Sequence, residues 1–163
     1  MLFRSAQLIK HDAEKGCAVL MEVSTGHVLA IANLAKDSAT GTYRESFNLA
    51  ILQSTEPGST FKLASMMALM EDGYVEPDEL VDTQGGQIKY ANLTLKDSKV
   101  GGYGVISLKH VFEVSSNVGI SKVVNNHYAK DPQKFIDKVH SFGLGSTLDL
   151  QLSGEPSPYM NKT

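Results

Sequence analysis

The sequence predicts an α+β fold, a β-hairpin followed by a mostly helical region, and three observations carry that prediction. Two apolar, β-prone runs, Cys17–Val23 and His27–Asn33, are joined by Ser24-Thr25-Gly26, a short polar link whose glycine supplies the turn. From Ser59 onward the composition shifts to good helix formers punctuated by cap and stop residues. The strands come first and the helices after, an order that separates the two kinds of element instead of alternating them.

Taken in order, the hairpin runs are apolar at most positions without strict alternation, which predicts a sheet covered on both faces, with helices packed over it. Residues Lys36–Tyr43 are polar and glycine-containing and read as a loop, and Arg44–Gln53 carries no clear assignment. Glu56-Pro57-Gly58 breaks the chain. The stretch Ser59–Met70 then reads as a helix, apolar almost all round and so expected inside the domain, with Met66, Met67 and Met70 as core filling and Gly73 as its stop. Asp82–Gly104 contains five glycines and little periodicity, the mark of loops with short extended pieces. Ser107 is the N-cap of a helix on which Leu108, Val111 and Phe112 share a face. A further helix follows Asn117, with Ile120, Val123, Val124 and His127 in line, and Asp131-Pro132 opens another, striped by Phe135, Ile136 and Val139 and stopped by Gly143. The tail Ser153–Thr163 is rich in proline and serine and aperiodic; it is expected to be the end of a cut chain.

Composition narrows the function. With 163 residues the chain holds one core or is a piece of a larger domain, and 42% hydrophobic and 20% charged residues are globular values. A net charge of −3 offers no basic stripe for phosphates, which excludes a nucleic-acid partner. Cys17, the sole cysteine, forms no internal disulfide and reads as a small hydrophobe on a buried strand. His11, His27, His110, His127 and His140 lack metal-ligand spacing to one another, and Gly101-Gly102-Tyr103-Gly104 lacks the strand and Lys-Ser/Thr ending of a phosphate loop, so no metal and no cofactor is implied. No run of about 18 apolar residues occurs, and Met1–Asp12 lacks the layout of a signal peptide.

One constellation carries chemistry. Ser59 and Lys62 stand three residues apart at the start of an apolar helix, on one face about a turn apart and within hydrogen-bonding reach. A serine hydroxyl is a weak nucleophile until a neighbour takes its proton, and a lysine amine does so only when burial or another cation lowers its pKa. The helix start adds N–H groups and partial positive charge suited to a developing oxyanion. Alone, the pair also fits an N-cap serine and a snorkelling lysine. Its company gives it weight: Pro57-Gly58 before it, an apolar helix after it, and a second polar cluster, Ser115-Ser116-Asn117, at a junction between helices.

Glu56-Pro57-Gly58-Ser59-Thr60-Phe61-Lys62 resembles the nucleophile motif of penicillin-binding transpeptidases, and Ser115-Ser116-Asn117-Val118-Gly119 resembles their second, Ser-x-Asn motif. Order and separation match too, the hairpin is similar to the first strands of that family's antiparallel sheet, and Phe142-Gly143-Leu144-Gly145 fits the family's next helix boundary. The phrasing around Ser59 is closest in kind to class B enzymes, the division- and elongation-specific peptidoglycan D,D-transpeptidases. The resemblance implies that Ser59 attacks the penultimate D-alanine carbonyl of a stem peptide, or a β-lactam. It implies that Lys62 accepts the proton, that Ser115 relays a proton toward the leaving group, and that Asn117 binds the substrate backbone and holds Lys62. It further implies peptidoglycan stem peptides and β-lactams as ligands, partnership with cell-wall synthesis proteins, and a parent anchored in the cytoplasmic membrane with its catalytic domain outside.

The family's third motif, Lys-Thr-Gly or Lys-Ser-Gly, is absent, and the terminal Lys162-Thr163 follows Asn117 too closely to stand for it. Residues 1–163 are therefore expected to be an N-terminal part of the transpeptidase domain, inactive alone, since losing an oxyanion donor costs on the order of 10²–10³ in rate. Ser46-Phe47-Asn48 also spells Ser-x-Asn but precedes the nucleophile and reads as a decoy. The alternatives are a serine β-lactamase or carboxypeptidase with the same motifs, disfavoured by the lack of a deacylating carboxylate motif after Asn117, and a non-catalytic β-lactam sensor or scaffold.

Overall fold

The structure is a computed structural model that describes residues 2–148, 150, 152 and 154–159. Ser153 and the end of the tail, including Lys162 and Thr163, lie outside the described residues. The chain divides into two compact units, one from Met1–Thr55 with Thr147–Ser157 and one centred on Glu56–Ser146.

In the first unit, helix α1 (Leu2–Lys10) precedes strands β1 (Lys15–Met21), β2 (Val28–Lys36) and β3 (Tyr43–Glu45), which form one antiparallel sheet in that order, and a single helical turn, α2 (Leu49–Leu52), follows. The predicted hairpin is present. Cys17 pairs with Asn33 and Val19 with Ile31, a bulge falls between Leu20 and Met21, and Gly26 takes φ 72°, a conformation open to glycine at little cost. The Tyr43 hydroxyl donates to the Leu8 and Ala13 carbonyls and Lys36 pairs with Asp12, which ties α1 and its exit to the sheet. Asn33, buried within β2, donates its N–H to Glu45 and accepts from the Ala50 N–H.

The sheet covered on both faces is not what forms. Ala32, Asn33 and Leu34 are buried, but Val19, Leu20, Met21 and Leu29 are roughly half exposed, and Cys17 is exposed rather than buried. Among the described residues β1 is an edge strand, and α1 and the single turn α2 are the helices of this unit.

The second unit holds the helices. A 3₁₀ turn (Gly58–Thr60) leads into α3 (Phe61–Glu71), and α4 (Leu108–Glu113), α5 (Asn117–Tyr128) and α6 (Pro132–Ser141) follow with the predicted caps: Ser107 accepts from His110 N–H, and Asp131 from Lys134 N–H. Its core joins Ala68 and Leu69 of α3 to Leu108 and Val111 of α4 and Ile120, Val123 and Tyr128 of α5. Strands β4 (Leu80–Asp82) and β7 (Val105–Ser107) make one small ladder, and β5 (Gln87–Tyr90) and β6 (Leu93–Lys96) another, where the sequence showed mostly loop. Gly86 and Gly102 permit this compaction: a Cβ on Gly86 would lie 2.5 Å from the Gly102 nitrogen, so the two backbones approach as only glycines can.

Helix α3 is not buried all round. Leu63, Met67 and Met70 are 56%, 40% and 47% exposed, and of the three methionines Met66 alone joins the core. These exposed residues lie at i, i+4 and i+7, one stripe of the helix, because α5 and α6 pack on the opposite side. On α4, likewise, Leu108 and Val111 are fully buried while Phe112 faces outward.

Candidate active site

Glu56-Pro57-Gly58 shapes the approach to Ser59. Gly58 has φ 59°, a left-handed value that a side chain would strain, and Pro57 presents its carbonyl to the Thr60 hydroxyl at 2.6 Å. Ser59 thus lies in the 3₁₀ turn rather than in α3 itself, exposed, its hydroxyl without a hydrogen bond to any described residue. Lys62 stands in the first turn of α3, half-buried.

Lys62 Nζ donates to the Ser115 carbonyl oxygen at 2.6 Å and to Ser115 Oγ at 2.9 Å. Two segments 53 residues apart in the chain therefore meet at one ammonium. The bond anticipated between Ser59 and Lys62 is not formed among the described residues. Catalytic hydrogen bonds are often long in the empty site and tighten with substrate. Burial pushes the Lys62 pKa below the ordinary 10.5, while the Asp97 carboxylate pulls it back up. The net direction is downward, which makes the neutral amine, the form able to take a proton, easier to reach.

Ser115 sits in the tight turn between α4 and α5 with φ 55°, unusual for a residue with a side chain. Its N–H bonds the Phe112 carbonyl at 3.0 Å, and the N–H of Ser116 bonds that of Val111 at 3.0 Å, which closes α4. Ser116, 1% exposed, then caps α5: its Oγ accepts from Gly119 N–H at 2.9 Å. The same hydroxyl donates to Asp97, lying 3.0 and 2.9 Å from its two carboxylate oxygens, and Asp97 also accepts from Val118 N–H at 3.0 Å. Asn117 opens α5 with its Nδ2 donating to the Lys96 carbonyl at 2.7 Å, so its side chain is held by the β6 end and not by Lys62.

Of the four residues singled out from the sequence, Lys62 and Ser115 are in direct contact, with Ser59 one turn before Lys62 and Asn117 two residues beyond Ser115. Asp97 and Ser116 escaped the sequence reading. Ser116 lay inside a recognised motif as its variable position, and its burial beside an acid could not be seen in one dimension. Asp97 lay in a glycine-rich stretch read as loop, with no spacing to link it to Ser116. The second Ser-x-Asn, Ser46-Phe47-Asn48, falls between β3 and α2 in the other unit, where the Ser46 N–H bonds the Asn33 carbonyl. Among the described residues no group of histidine, cysteine and acidic side chains is placed to hold a metal ion.

Residues 16–162 match the family described as penicillin binding protein transpeptidase domain. The chain is 36% identical over 151 residues to the peptidoglycan D,D-transpeptidase FtsI of Escherichia coli K12, an alignment covering 90% of this chain and 24% of FtsI. It is 30% identical to the penicillin-binding protein PbpB of Mycolicibacterium smegmatis, covering 89% of this chain and 22% of PbpB. It superposes on the transpeptidase domain of Burkholderia pseudomallei penicillin-binding protein 3 with a TM-score of 0.73 at 25% identity, covering 93% of this chain and 41% of that one. A peptidoglycan glycosyltransferase structure from Burkholderia ambifaria gives a TM-score of 0.79 at 25% identity, over 96% and 45% of the two chains. The chain thus spans about a quarter of the length of these curated relatives. With its two serine motifs joined through Lys62 and its sequence matched from residue 16 to 162, this chain belongs to the penicillin-binding protein transpeptidase domain family.

Proposed function

We propose that the protein carrying this chain is a peptidoglycan D,D-transpeptidase of class B that works through an acyl-enzyme on Ser59. The observation that supports it above others is the reach of Lys62 from α3 to Ser115, which joins a base and a relay hydroxyl one turn after the exposed Ser59.

In the first half-reaction Ser59 Oγ attacks the carbonyl carbon of the penultimate D-alanine and its proton passes to the neutral Lys62 amine. The tetrahedral intermediate collapses with breakage of the C–N bond to the terminal D-alanine. That nitrogen leaves as an amine, taking the proton held by Lys62 by way of the Ser115 hydroxyl, and Ser59 is left as the ester of the stem peptide. In the second half-reaction the amine of a neighbouring stem attacks the ester, its proton returns by the reverse route, and the new peptide bond forms as Ser59 is released. Asn117 binds substrate backbone: one Nδ2 hydrogen goes to the Lys96 carbonyl, and Oδ1 is the acceptor for a substrate N–H. A β-lactam enters at the same step. Its amide opens on Ser59 while the leaving nitrogen stays tethered, so water or a second amine is slow to follow.

The finer placement belongs to the same reading: a parent anchored in the cytoplasmic membrane with its catalytic domain facing the periplasm or cell exterior, partnered with other cell-wall synthesis proteins. Among the described residues no helix is long and apolar enough to cross a membrane. Residues 1–163 are part of the transpeptidase domain on this reading, and the third motif is to be supplied from beyond them.

Penicillin labelling of the full-length protein, read by intact mass and peptide mapping, tests the proposal. A slowly released adduct on the peptide bearing Ser59, absent from Ser59→Ala and strongly reduced in Lys62→Met, is expected. Continuous hydrolysis of the drug would point to a β-lactamase, and a folded protein that never takes an adduct would sink the acyl-enzyme reading.

A further inference from the structure

We propose that Asp97 is a positioning residue for acylation: its carboxylate clamps the turn between α4 and α5 and so holds Ser115 where Lys62 meets it. The inference rests on the acyl-enzyme reading above and adds to it a residue outside both serine motifs.

Three donor contacts on one carboxylate carry the argument. The Ser116 hydroxyl reaches both Asp97 oxygens, and Val118 N–H reaches one of them, so the acid grips the turn on either side of Asn117. Lys96, next in the chain, adds its carbonyl to Asn117 Nδ2. The whole Ser116–Val118 stretch is thereby fastened to the exit of β6. Capping alone does not require this, because Ser116 already satisfies Gly119 N–H. The strained residue is Ser115, whose φ of 55° persists only where its surroundings over-determine it. Both of its oxygens that receive Lys62 are set by that backbone. Without the acid Ser116 Oγ keeps only the bond from Gly119 N–H, and the turn loses the tether that keeps the Ser115 carbonyl and hydroxyl aimed at α3. The anchor itself is firm: Asp97 N–H bonds the Gly86 carbonyl at 2.9 Å, and Gly86 is locked against Gly102.

Asp97 has a second, electrical effect. It is the charged group that acts on Lys62, and it works against burial by favouring the ammonium. From the α4–α5 turn Lys62 meets only the uncharged Ser115 oxygens. On Asp97's own segment, Lys96 contributes a backbone carbonyl, and the Lys99 ammonium lies over the Tyr103 ring, 5.1 Å from its centroid. Removing the Asp97 charge therefore leaves Lys62 easier to deprotonate and, at the same time, less well placed.

The test is the penicillin acylation rate of Ser59 in the full-length protein as a function of drug concentration and pH, for Asp97→Asn and Ser116→Ala. For Asp97→Asn the limiting acylation rate is expected to fall on the order of 10²-fold, with drug affinity before the covalent step little changed, since misplacement of about 1 Å carries losses of that size. The acid limb of its pH profile moves to lower pH. Ser116→Ala, which keeps the charge and loses the hydroxyl link, loses rate with the acid limb unmoved. Asp97→Asn acylating at the unsubstituted rate with an unmoved limb overturns the inference. So does a rate loss that only follows the fraction of unfolded protein in a thermal melt, which is all a purely structural role would produce. If Asp97→Asn does not fold, Ser116→Ala decides: full activity in the folded variant overturns the clamp, and a reduced limiting rate supports it. An unsubstituted protein that takes no drug on Ser59 would overturn the acyl-enzyme reading and this inference with it, a result distinct from an active parent with unaffected variants.

Discussion

Gly119→Ala is a single methyl group placed where the second unit has no room for it. An alanine Cβ would lie 2.5 and 2.9 Å from the two methyls of Val111 and 3.2 Å from Ser116 Oγ. Carbon atoms pack best at roughly 3.5–4.0 Å, so the nearest methyl must give way by about 1 Å. It has nowhere to go: Val111, on α4, is fully buried against the α3 and α5 residues of the core. Overpacking of this kind costs about 1–3 kcal/mol. Exchanging glycine for alanine in a helix returns at most about 1 kcal/mol, and less here, where Gly119 lies in the first turn of α5. The net is a loss of about 0.5–3 kcal/mol, which for a domain of this size lowers the melting temperature by roughly 1–12 °C. Thermal and urea melts of the protein carrying this chain measure it. Val111→Ala supplies the control: the double variant should be more stable than the sum of the single losses predicts, because one change empties the space the other fills. Gly119→Ala at or above the stability of the unsubstituted protein would refute the packing argument.

Leu69→Ala removes a fully buried core side chain from the last turn of α3 and should cost about 2–5 kcal/mol, read from the urea midpoint; a loss under about 1 kcal/mol would mean the core around Leu69 collapses onto the gap. Asp72, held by Lys138, the Tyr128 hydroxyl and Lys134, has a carboxyl pKa below its ordinary value, so its contribution is present above the unfolded value near about 3.9 and is lost as pH falls through the lower folded one. Asp72→Asn is therefore expected to be less stable at neutral pH and to lose less stability below about pH 4 than the unsubstituted protein; identical pH profiles would refute it. Because burial lowers the Lys62 pKa, penicillin acylation should rise with pH through a midpoint below 10.5, and a midpoint at or above that value would remove Lys62 from the role of base.

Local signals were enough for much of this protein. The hairpin around Gly26, the Ser107 and Asp131 caps and the stops at Gly73 and Gly143 were legible because each depends on residues within a few positions of one another. The two serine motifs were legible for the same reason: each is a run of contiguous residues. What the sequence could not decide is which side of an apolar element is covered. Helix α3 is apolar on every face, and only the packing of α5 and α6 leaves Leu63, Met67 and Met70 outside. The runs of β1 and β2 are equally apolar, yet Ala32 and Leu34 of β2 are buried while Val19, Leu20 and Met21 of β1 are roughly half exposed. The ladders among the glycines of Asp82–Gly104 needed Gly86 and Gly102 to meet across 16 positions of chain. Asp97 became visible by the same route. A hydrogen bond from Ser116, 19 residues away, exists only after β6 and the start of α5 have been brought together, and no periodicity of 2 or 3.6 encodes a meeting of that kind.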